Sequence, residues 1–344
     1  MNHTIPSGIL NCVRKEVPNV DISTITDIWN ELFDYNRRIA EYFKLLQAQS
    51  VIDKEPNWQF KAKAYGRVLK TVNEFPVPIL SSKQLNNIQG IGDKSKRKID
   101  EIIATCHLGK IEQGDKEKYE IIGAFMKIWG VGHKRAQEFY NYGYRSVDEL
   151  LNSNINLSVQ EQIGVKYYDE FGIRIPRDTM DIIKDKARRL LKQIEPSSIL
   201  EVVGSYQRGA DSSGDVDIII SSDINPQILL KRFVEQLTED DIITDQIIQG
   251  PMKFVGVIRD PENRLHRKLD IWSIPRPSWI CALVSLTGPA SFIIRLRLEA
   301  KKKGLKVSEY NIMDLKTNKK FYPSSEDEYF NILGLKYIPV YDRK

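Results

Sequence analysis

One short pattern occurs twice, about 40 residues apart, and it constrains the whole N-terminal half of the chain. Ile88-Gln-Gly-Ile-Gly92 and Ile128-Trp-Gly-Val-Gly132 share an apolar-x-Gly-apolar-Gly core, and each copy follows a short helical stretch and precedes a basic one. A repeat at a fixed spacing indicates two copies of one supersecondary unit. Glycines one residue apart allow a sharp turn, after which a helix N-terminus presents free N–H groups to an anion. We therefore predict two helical hairpins that seat a backbone phosphate on Gly90, Gly92, Gly130 and Gly132, with a purely structural turn as the alternative.

Basic residues are concentrated around the first hairpin. Between Lys61 and Lys110 there are ten Lys or Arg residues and four acids, a net charge of +6, whereas the whole chain carries +5. Such clustering is typical of a surface that binds a polyanion, and a solvent-exposed helix face is the alternative. Lys94 and Lys98 share one face of the predicted helix. Their mutual repulsion is expected to lower the pKa of at least one ammonium, as a Schiff-base nucleophile requires, although the spacing alone favours phosphate binding.

Hydrophobic spacing predicts an all-helical N-terminal half and a mixed C-terminal half. The first helix is expected to begin at Thr26 or Asp27 as N-cap, with an apolar stripe at Ile28, Leu32, Tyr35, Ile39 and Phe43. A second helix is predicted over residues 60–74. Near Arg174 the pattern changes: helices are predicted at 177–194, 227–237 and 292–303, and strands at 198–203, 216–221, 253–257 and 269–274.

Length and composition exclude several classes of protein. A chain of 344 residues is expected to form two or three domains. It has no run of about 18 apolar residues and no signal-peptide pattern, so we expect neither a membrane protein nor a secreted one. The cysteines Cys12, Cys106 and Cys281 are far apart and form no C-x-x-C motif, which argues against a disulfide framework or a Cys-based zinc site.

The strongest local signal runs from Gly204 to Asp217 and is followed by three isoleucines. Asp215 and Asp217 begin an apolar strand two residues apart, so both carboxylates project from one face of the sheet. Asp270 lies in another apolar strand, where a lone carboxylate would be costly. Three carboxylates without a nearby His or Cys point to Mg²⁺, and a pair of such ions suits a phosphoryl transfer. The alternative, an Asx-type turn that caps a strand, does not explain the accompanying Gly-Ser and Arg-Gly pairs.

With these residues, the chain resembles the family X DNA polymerases of the DNA polymerase beta type, from about residue 24 to its C-terminus. The likeness rests on the two hairpins, the Gly-Ser to Asp-x-Asp element, and the segments Ile99-Asp-Glu101, Arg174-Ile-Pro-Arg177, Lys268-Leu-Asp-Ile271, Leu286-Thr-Gly288 and Ser308-Glu-Tyr310. It implies a flexible lead at 1–23, a helical lyase domain at 24–112 and a helical DNA-binding subdomain at 113–176. An α+β nucleotidyltransferase palm at 177–275 and a small mixed nucleotide-selection subdomain at 276–344 would follow.

The resemblance also implies roles for individual residues. Two Mg²⁺ ions, which Mn²⁺ can replace, would be held by Asp215, Asp217 and Asp270, with Asp270 nearest the primer 3′-hydroxyl. The incoming triphosphate would be bound by Arg177, Ser205, Arg208, Ser213 and Gly214. Arg297 would face the template strand, with Glu309 and Tyr310 as its partners on closure. Lys98 would be the Schiff-base lysine, and the 5′-phosphate and its surroundings would involve Lys61, Tyr65, Lys94 and Lys110. A monovalent cation is expected at each hairpin.

Some positions depart from the family pattern. Ser285-Leu286 replace an aromatic pair, which predicts weaker discrimination against a ribose 2′-hydroxyl. Ala290 and Ile293 replace polar residues near the nucleotide, which predicts lower fidelity. Trp272 replaces an arginine that takes part in opening and closing, so closure is expected to be controlled differently.

We therefore expect a template-directed, gap-filling DNA polymerase with 5′-deoxyribose-phosphate lyase activity, acting in base excision repair. Its partners would be gapped or nicked duplex DNA and dNTPs, and it would act as an intracellular monomer, in the nucleus or cytoplasm (or a viral factory, if the source is a virus). The short lead favours single-strand gaps over end joining. The alternatives are a template-independent or ribonucleotide-tolerant nucleotidyltransferase, against which the hairpins and Arg297 argue, and a non-catalytic DNA-binding scaffold, against which the three acids argue.

Overall fold

The computed structural model describes residues 22–54, 57–111 and 113–343, except for the side chains of residues 22–27, 31 and 113–116. These residues fall into two compact units that divide between Asn156 and Leu157. Within the described ranges, no helix has both the length and the apolar character needed to cross a membrane. The flexible lead predicted at 1–23 lies outside the described residues up to position 21, and so does Cys12.

The first unit is all-helical, as predicted. Its helices are α1 (Ile22–Asp53), α2 (Trp58–Glu74), α3 (Asp93–Thr105), α4 (Gln113–Phe125), α5 (His133–Asn141) and α6 (Val147–Leu151). A 3-10 turn at Ser82–Leu85 precedes α3. The long helix α1 is the centre of the unit, since α2 packs along it and α3, α4 and α5 also contact it. The first glycine repeat joins the 3-10 turn to α3, and the second joins α4 to α5.

The predicted start of α1 is wrong, and its predicted apolar stripe is confirmed in part. The helix already includes Ile22 and Ser23 from the predicted lead, so Thr26 and Asp27 lie inside it and do not cap it. The predicted apolar stripe is confirmed at Ile39 and Phe43, which are fully buried, but Ile28 is 52% exposed, and the buried face also includes Trp29 and Phe33. Several helices surround α1, so the face that becomes buried is broader than a single stripe.

The buried face of α1 also contains a polar residue that the apolar pattern omitted. Asn36 is buried, donates from its side chain to the carbonyl of Val77 at 3.1 Å and accepts from the N–H of Ile79 at 2.7 Å. Both hydrogen bonds reach the chain that follows α2. A buried amide is tolerated when its polar atoms are paired, so Asn36 fixes this connection against α1.

The second unit contains a mixed sheet flanked by helices. Its helices are α7 (Val159–Lys166), α8 (Tyr168–Gly172), α9 (Arg177–Ile194), α10 (Gly204–Gln207), α11 (Pro226–Glu239), α12 (Trp279–Thr287), α13 (Ala290–Lys302) and α14 (Glu326–Ile332). Its strands are β1 (Ile175–Pro176), β2 (Ile199–Val202), β3 (Ser212–Ser213), β4 (Val216–Ser221), β5 (Ile243–Gln249), β6 (Lys253–Arg259), β7 (His266–Ser273), β8 (Leu305–Val307), β9 (Ile312–Asp314) and β10 (Lys320–Phe321). The main sheet has the order β2-β4-β7-β6-β5, and two smaller sheets pair β1 with β3 and order β10-β9-β8.

Strands β4 and β7 are the one parallel pair of the main sheet. On one face, Val216, Ile218 and Ile220 pack into the core beneath α9 and α11. On the opposite face, Ile219 packs with Ala282 of α12. Because side chains alternate along a strand, the carboxylate of Asp217 projects from this second face.

Most of the predicted elements of this unit are present, and the mixed architecture is confirmed. Strand β5 was missed, and β6 and β7 are longer than expected. Helices α7 and α8 pack on β5 and β7: the Tyr167 hydroxyl donates to Asp245 Oδ2 at 2.6 Å, and the Tyr167 ring stacks on His266. The boundary between the two units falls within the subdomain predicted at 113–176. The five-part division of the chain stays a prediction.

Candidate active site and nucleic-acid interface

The parallel pairing of β4 with β7 places two of the three predicted metal-binding acids side by side. Asp217 on β4 is the register partner of Asp270 on β7. Asp215 immediately precedes β4 and is exposed, whereas Asp217 is half-buried. Burial, first of all, and then the negative charges of Asp215 and Asp270 raise the pKa of Asp217 to about 7. Three like charges therefore act on one another where the start of β4 lies beside the middle of β7.

A lysine that the sequence analysis missed lies at the same place. Lys253 Nζ is 2.7 Å from Asp270 Oδ2 and 4.5 Å from the centroid of the Trp272 ring. The positive charges of Lys253 and Lys268 both act to lower the pKa of Asp217, against the larger effects of burial and the two acids. No motif marks Lys253, because only the pairing of β6 with β7 brings it to the carboxylates.

The donor set fits a divalent cation. Among the described residues, no three His, Cys, Asp or Glu side chains come close enough together to form a ready-made metal site. However, carboxylate oxygens are the ligands that Mg²⁺ prefers, and burial together with the charges of Asp215 and Asp270 raises the pKa of Asp217, a penalty on its charged form that a bound cation would offset. The ammonium of Lys253 lies at Asp270 as a cation would, with a single positive charge.

The turn that leads from β2 to β4 is built tightly around Asp217. Gly204 has φ +64°, and a Cβ placed on it would lie 2.5 Å from Asp217 Oδ2, so only glycine fits without a shift. The Ser205 hydroxyl donates to Ser213 Oγ at 2.9 Å, and Ser213 is buried. Gly214 connects Ser213 to Asp215. The two hydroxyls and the acids that follow them therefore belong to one short, folded segment.

The two predicted triphosphate-binding arginines are both engaged within the second unit. Arg177, the first residue of α9, donates to the carbonyls of Tyr206 at 3.0 Å and Ala210 at 3.2 Å. Arg208 donates to the carbonyl of Thr287 at the end of α12, and burial lowers its pKa. Arg177 thus holds the turn itself, and Arg208 connects the turn to the segment that carries Leu286-Thr-Gly288.

A second contact joins the same turn to the C-terminus. Gly209 has φ +80°, and a Cβ on it would lie 2.7 Å from the Tyr341 ring. Tyr341 belongs to a 3-10 turn at Val340–Asp342. The next residue, Arg343, is buried and forms an ion pair with Glu326 at 2.6 Å. No sequence pattern marked this contact between Tyr341 and the predicted triphosphate turn.

Arg297, predicted to face the template, is exposed on α13. It lines an open groove with two further basic residues, Lys301 and Lys306. Leu305 and Leu315 line the same groove, and Leu315 is 48% exposed. This surface combines positive charge with apolar side chains, which suits a nucleic-acid strand.

The two glycine hairpins have nearly the same backbone geometry. Gly90 and Gly130 have φ +94° and +92°, and Gly92 and Gly132 are the N-caps of α3 and α5 with φ −87° and −88°. A Cβ on Gly90 would lie 2.6 Å from Arg67 Nη1, whereas a Cβ on Gly92 or Gly132 would meet nothing within 4 Å. The fold therefore needs the first glycine of each pair, and the second leaves an open surface at a helix N-terminus.

The candidate Schiff-base lysine lies on α3. Burial is the largest of the causes that lower the pKa of Lys98, followed by the positive charge of Lys110; Lys94 contributes less. Lys98 Nζ donates to the carbonyl of Lys94 at 3.3 Å. The predicted mutual repulsion of Lys94 and Lys98 therefore acts, but it is a minor cause. On α2, Lys61 and Tyr65 lie one turn apart, and Tyr65 is buried against Phe43.

Comparison with known protein families agrees with this geometry along the chain. A helix-hairpin-helix domain matches residues 34–108, and the fingers domain of DNA polymerase lambda matches residues 123–172. The DNA polymerase beta palm matches residues 174–276, which contain all three acids, and the DNA polymerase beta thumb matches residues 282–344. This chain belongs to the family X DNA polymerases. It is of the DNA polymerase beta type.

Several family X relatives match most of this chain. DNA polymerase lambda of Rattus norvegicus is 29% identical over 322 residues, which is 88% of this chain and 55% of the relative. DNA polymerase lambda of Arabidopsis thaliana is 26% identical and covers 95% of this chain and 65% of its own length. The type-X family protein pol4 of Schizosaccharomyces pombe is 27% identical, and the match covers 81% of this chain and 59% of the relative. This family X chain thus spans 55% to 65% of the length of these curated relatives.

Proposed function

We propose that this chain is a template-directed, gap-filling DNA polymerase that uses dNTPs and acts in base excision repair. One observation carries the proposal: Asp217 and Asp270 are register partners on parallel strands, next to Asp215 and to the turn that carries Ser205 and Ser213. Acids grouped in this way beside hydroxyls and backbone amides suit a nucleotide triphosphate and the oxygen that attacks it.

The side chains of the site have separable tasks. Ser205, Ser213 and the backbone of Gly214 bind the triphosphate oxygens, and Arg208 adds a charge-assisted hydrogen bond. Arg177 keeps the turn in shape through the carbonyls of Tyr206 and Ala210. Asp270, nearest the primer, accepts the proton of the 3′-hydroxyl as its oxygen attacks the α-phosphorus and pyrophosphate leaves.

Asp215, Asp217 and Asp270 would hold two Mg²⁺ ions, or Mn²⁺ in their place. When bound, these ions neutralise the charge that develops on the attacking and leaving oxygens. The raised pKa of Asp217 supports this assignment, because the folded chain groups acids that repel one another.

A second step, 5′-deoxyribose-phosphate lyase activity, is proposed for Lys98. Its lowered pKa raises the fraction of free amine, which is the form that a nucleophile requires. The Nζ atom attacks C1′ of the open sugar and a water molecule leaves, which forms a Schiff base. Loss of a C2′ proton then breaks the C3′–O3′ bond, and the downstream strand keeps its 5′-phosphate. Lys61, Tyr65, Lys94 and Lys110 would hold that phosphate and its surroundings.

The DNA partner is proposed to be gapped or nicked duplex. The two hairpins would hold its backbone, each with a monovalent cation, and Arg297 would contact the template. We further propose that the protein acts as a monomer inside the cell, in the nucleus or the cytoplasm.

Primer extension on a one-nucleotide gap with a 5′-phosphate tests the main proposal. With Mg²⁺ present, the dNTP that matches the template should be inserted, and Asp215→Ala should abolish insertion. Offering each ribonucleotide separately shows whether Ser285-Leu286 relaxes sugar selection. Insertion that ignores the template would favour a template-independent transferase, and tight gap binding without any insertion would favour a non-catalytic scaffold.

A further inference from the structure

A cation of the protein's own lies on one of the carboxylates proposed to bind metal. The Lys253 ammonium is 2.7 Å from Asp270 Oδ2, and the two side chains are only 33% and 29% exposed. It also lies 4.5 Å from the centroid of the Trp272 ring, within the range of a cation–π interaction. Lys253 is therefore held by two partners at once, a carboxylate and an aromatic face.

The backbone fixes this placement. Strand β6 is antiparallel to β7, with Lys253 opposite Trp272 and Val255 opposite Asp270. Residues two apart on a strand share a face, so Lys253 lies beside Trp272 and diagonal to Asp270 on the same side of the sheet. The carbonyl of Lys253 accepts from the N–H of Gly250 at 2.8 Å, which anchors the start of the strand.

The Lys253 ammonium makes it less favourable for a second cation to bind the Asp270 carboxylate. An ammonium this close to Oδ2 repels any second positive charge, and it occupies one of the two oxygens that Asp270 could offer. The partial burial of the pair strengthens this repulsion, because water screens it less than it would at the surface. A divalent ion could bind Asp270 fully only after Lys253 moved off Oδ2 and left the Trp272 ring.

We propose that Lys253 is a positioning residue that competes with divalent metal for Asp270. The inference rests on the proposed polymerase function. Lys253 keeps the Asp270 carboxylate ordered and neutralised in the free enzyme, and it weakens metal binding there. Trp272, which stands where the resemblance places an arginine, provides the second contact that holds the ammonium in place.

Direct Mn²⁺ binding to the full-length protein, without DNA or nucleotide, tests the proposal. Free Mn²⁺ can be followed by electron paramagnetic resonance during titration. Lys253→Met, which keeps the length of the side chain but removes its charge, should bind one Mn²⁺ about tenfold more tightly, a coupling typical of interacting charges. Lys253→Arg keeps the charge and should bind as wild type does. Lys231→Met removes an exposed charge that pairs with Glu235 on α11 and should change nothing.

Each outcome separates this inference from the function on which it rests. Mn²⁺ binding that requires Asp217 but is equally tight in wild type and Lys253→Met would overturn the role of Lys253 and leave the metal site intact. Mn²⁺ binding that survives Asp217→Ala would overturn the metal site and the inference with it. As a second readout, Mg²⁺ should change the fluorescence of Trp272 in wild type, as judged against Trp272→Phe, but not in Lys253→Met. No fluorescence change in wild type would mean that Lys253 stays on the ring, against the proposal.

Discussion

Gly204 lies directly against the carboxylate of Asp217, since a Cβ on Gly204 would be 2.5 Å from Oδ2. Its φ of +64° is also one that residues with a Cβ rarely adopt. The residue before Gly204 is also bonded to this acid: the N–H of Val203 donates to the carbonyl of Asp217 at 2.9 Å. The position of this acid is therefore set by a glycine thirteen residues earlier in the chain.

Gly204→Ala is expected to destabilise the protein by about 1–3 kcal/mol and to remove most nucleotide insertion, because the methyl group displaces Asp217 and strains the backbone. Chemical denaturation and gap filling measure the two effects. Gly172→Ala is the matched control, since a Cβ there meets nothing within 4 Å. Full insertion activity in Gly204→Ala would show that the position of Asp217 is not critical.

The stability of the metal-free protein should depend on pH through Asp217. Because its pKa rises from an ordinary 3.8 to about 7 in the folded state, the folded chain binds more protons than the unfolded chain between these values. Stability is therefore lost as the pH rises through this range, by at most roughly 4 kcal/mol. Asp217→Asn should raise the melting temperature in EDTA at pH 8 and leave it nearly unchanged at pH 4. Equal melting temperatures at pH 8 would mean that the acids do not strain the fold.

The two glycines of the first hairpin should respond differently to alanine. Gly90→Ala should lower stability by about 1 kcal/mol or more, since φ is +94° and Arg67 lies 2.6 Å from the new Cβ. Gly92→Ala should leave stability almost unchanged and weaken binding to gapped DNA, with a smaller dependence of affinity on salt. Melting curves and salt titrations of DNA affinity test both variants. If Gly92→Ala binds DNA like wild type, the open surface is not a phosphate seat.

Lys110 should tune the reactivity of Lys98. Its positive charge is the largest electrostatic cause that lowers the pKa of Lys98, so Lys110→Met should raise that pKa and leave less free amine at neutral pH. Borohydride trapping of the DNA adduct should therefore shift to higher pH in Lys110→Met, disappear in Lys98→Ala and follow the wild-type pH profile in Lys63→Ala. A Lys110→Met profile that differs only in amplitude would limit Lys110 to phosphate binding.

Local patterns predicted much of the fold. Helix α9 begins and ends where its periodicity indicated, and the glycine repeat marked both hairpins before their geometry was known. The start of α1 was predicted too late, and its buried face is broader than the predicted stripe because several helices pack around it. Strand β5 was missed because its sequence, ITDQIIQ, mixes polar and apolar residues and is stabilised mainly by pairing with β6.

The residues of the candidate site also fall into a group that the sequence predicted and a group that it did not. The Asp-x-Asp pair and the two hairpins are contained in short stretches of sequence, where spacing alone decides which side chains share a face. The partners from distant segments are different: Lys253 reaches Asp270 through the pairing of β6 with β7, and Tyr341 reaches Gly209 from the end of the chain.

The sequence by itself determined which chemical groups this protein brings to its candidate sites: three acids, the glycine hairpins and a lysine on a basic helix. Only the tertiary structure decided which of these groups meet and what surrounds them. It placed Asp217 opposite Asp270, put Lys253 between Asp270 and Trp272, and made burial the main cause of the lowered pKa of Lys98. The physical reason is that a local pattern fixes the direction of a side chain relative to its own backbone. Strand register, burial and the charge of a distant neighbour depend instead on the packing of the whole unit.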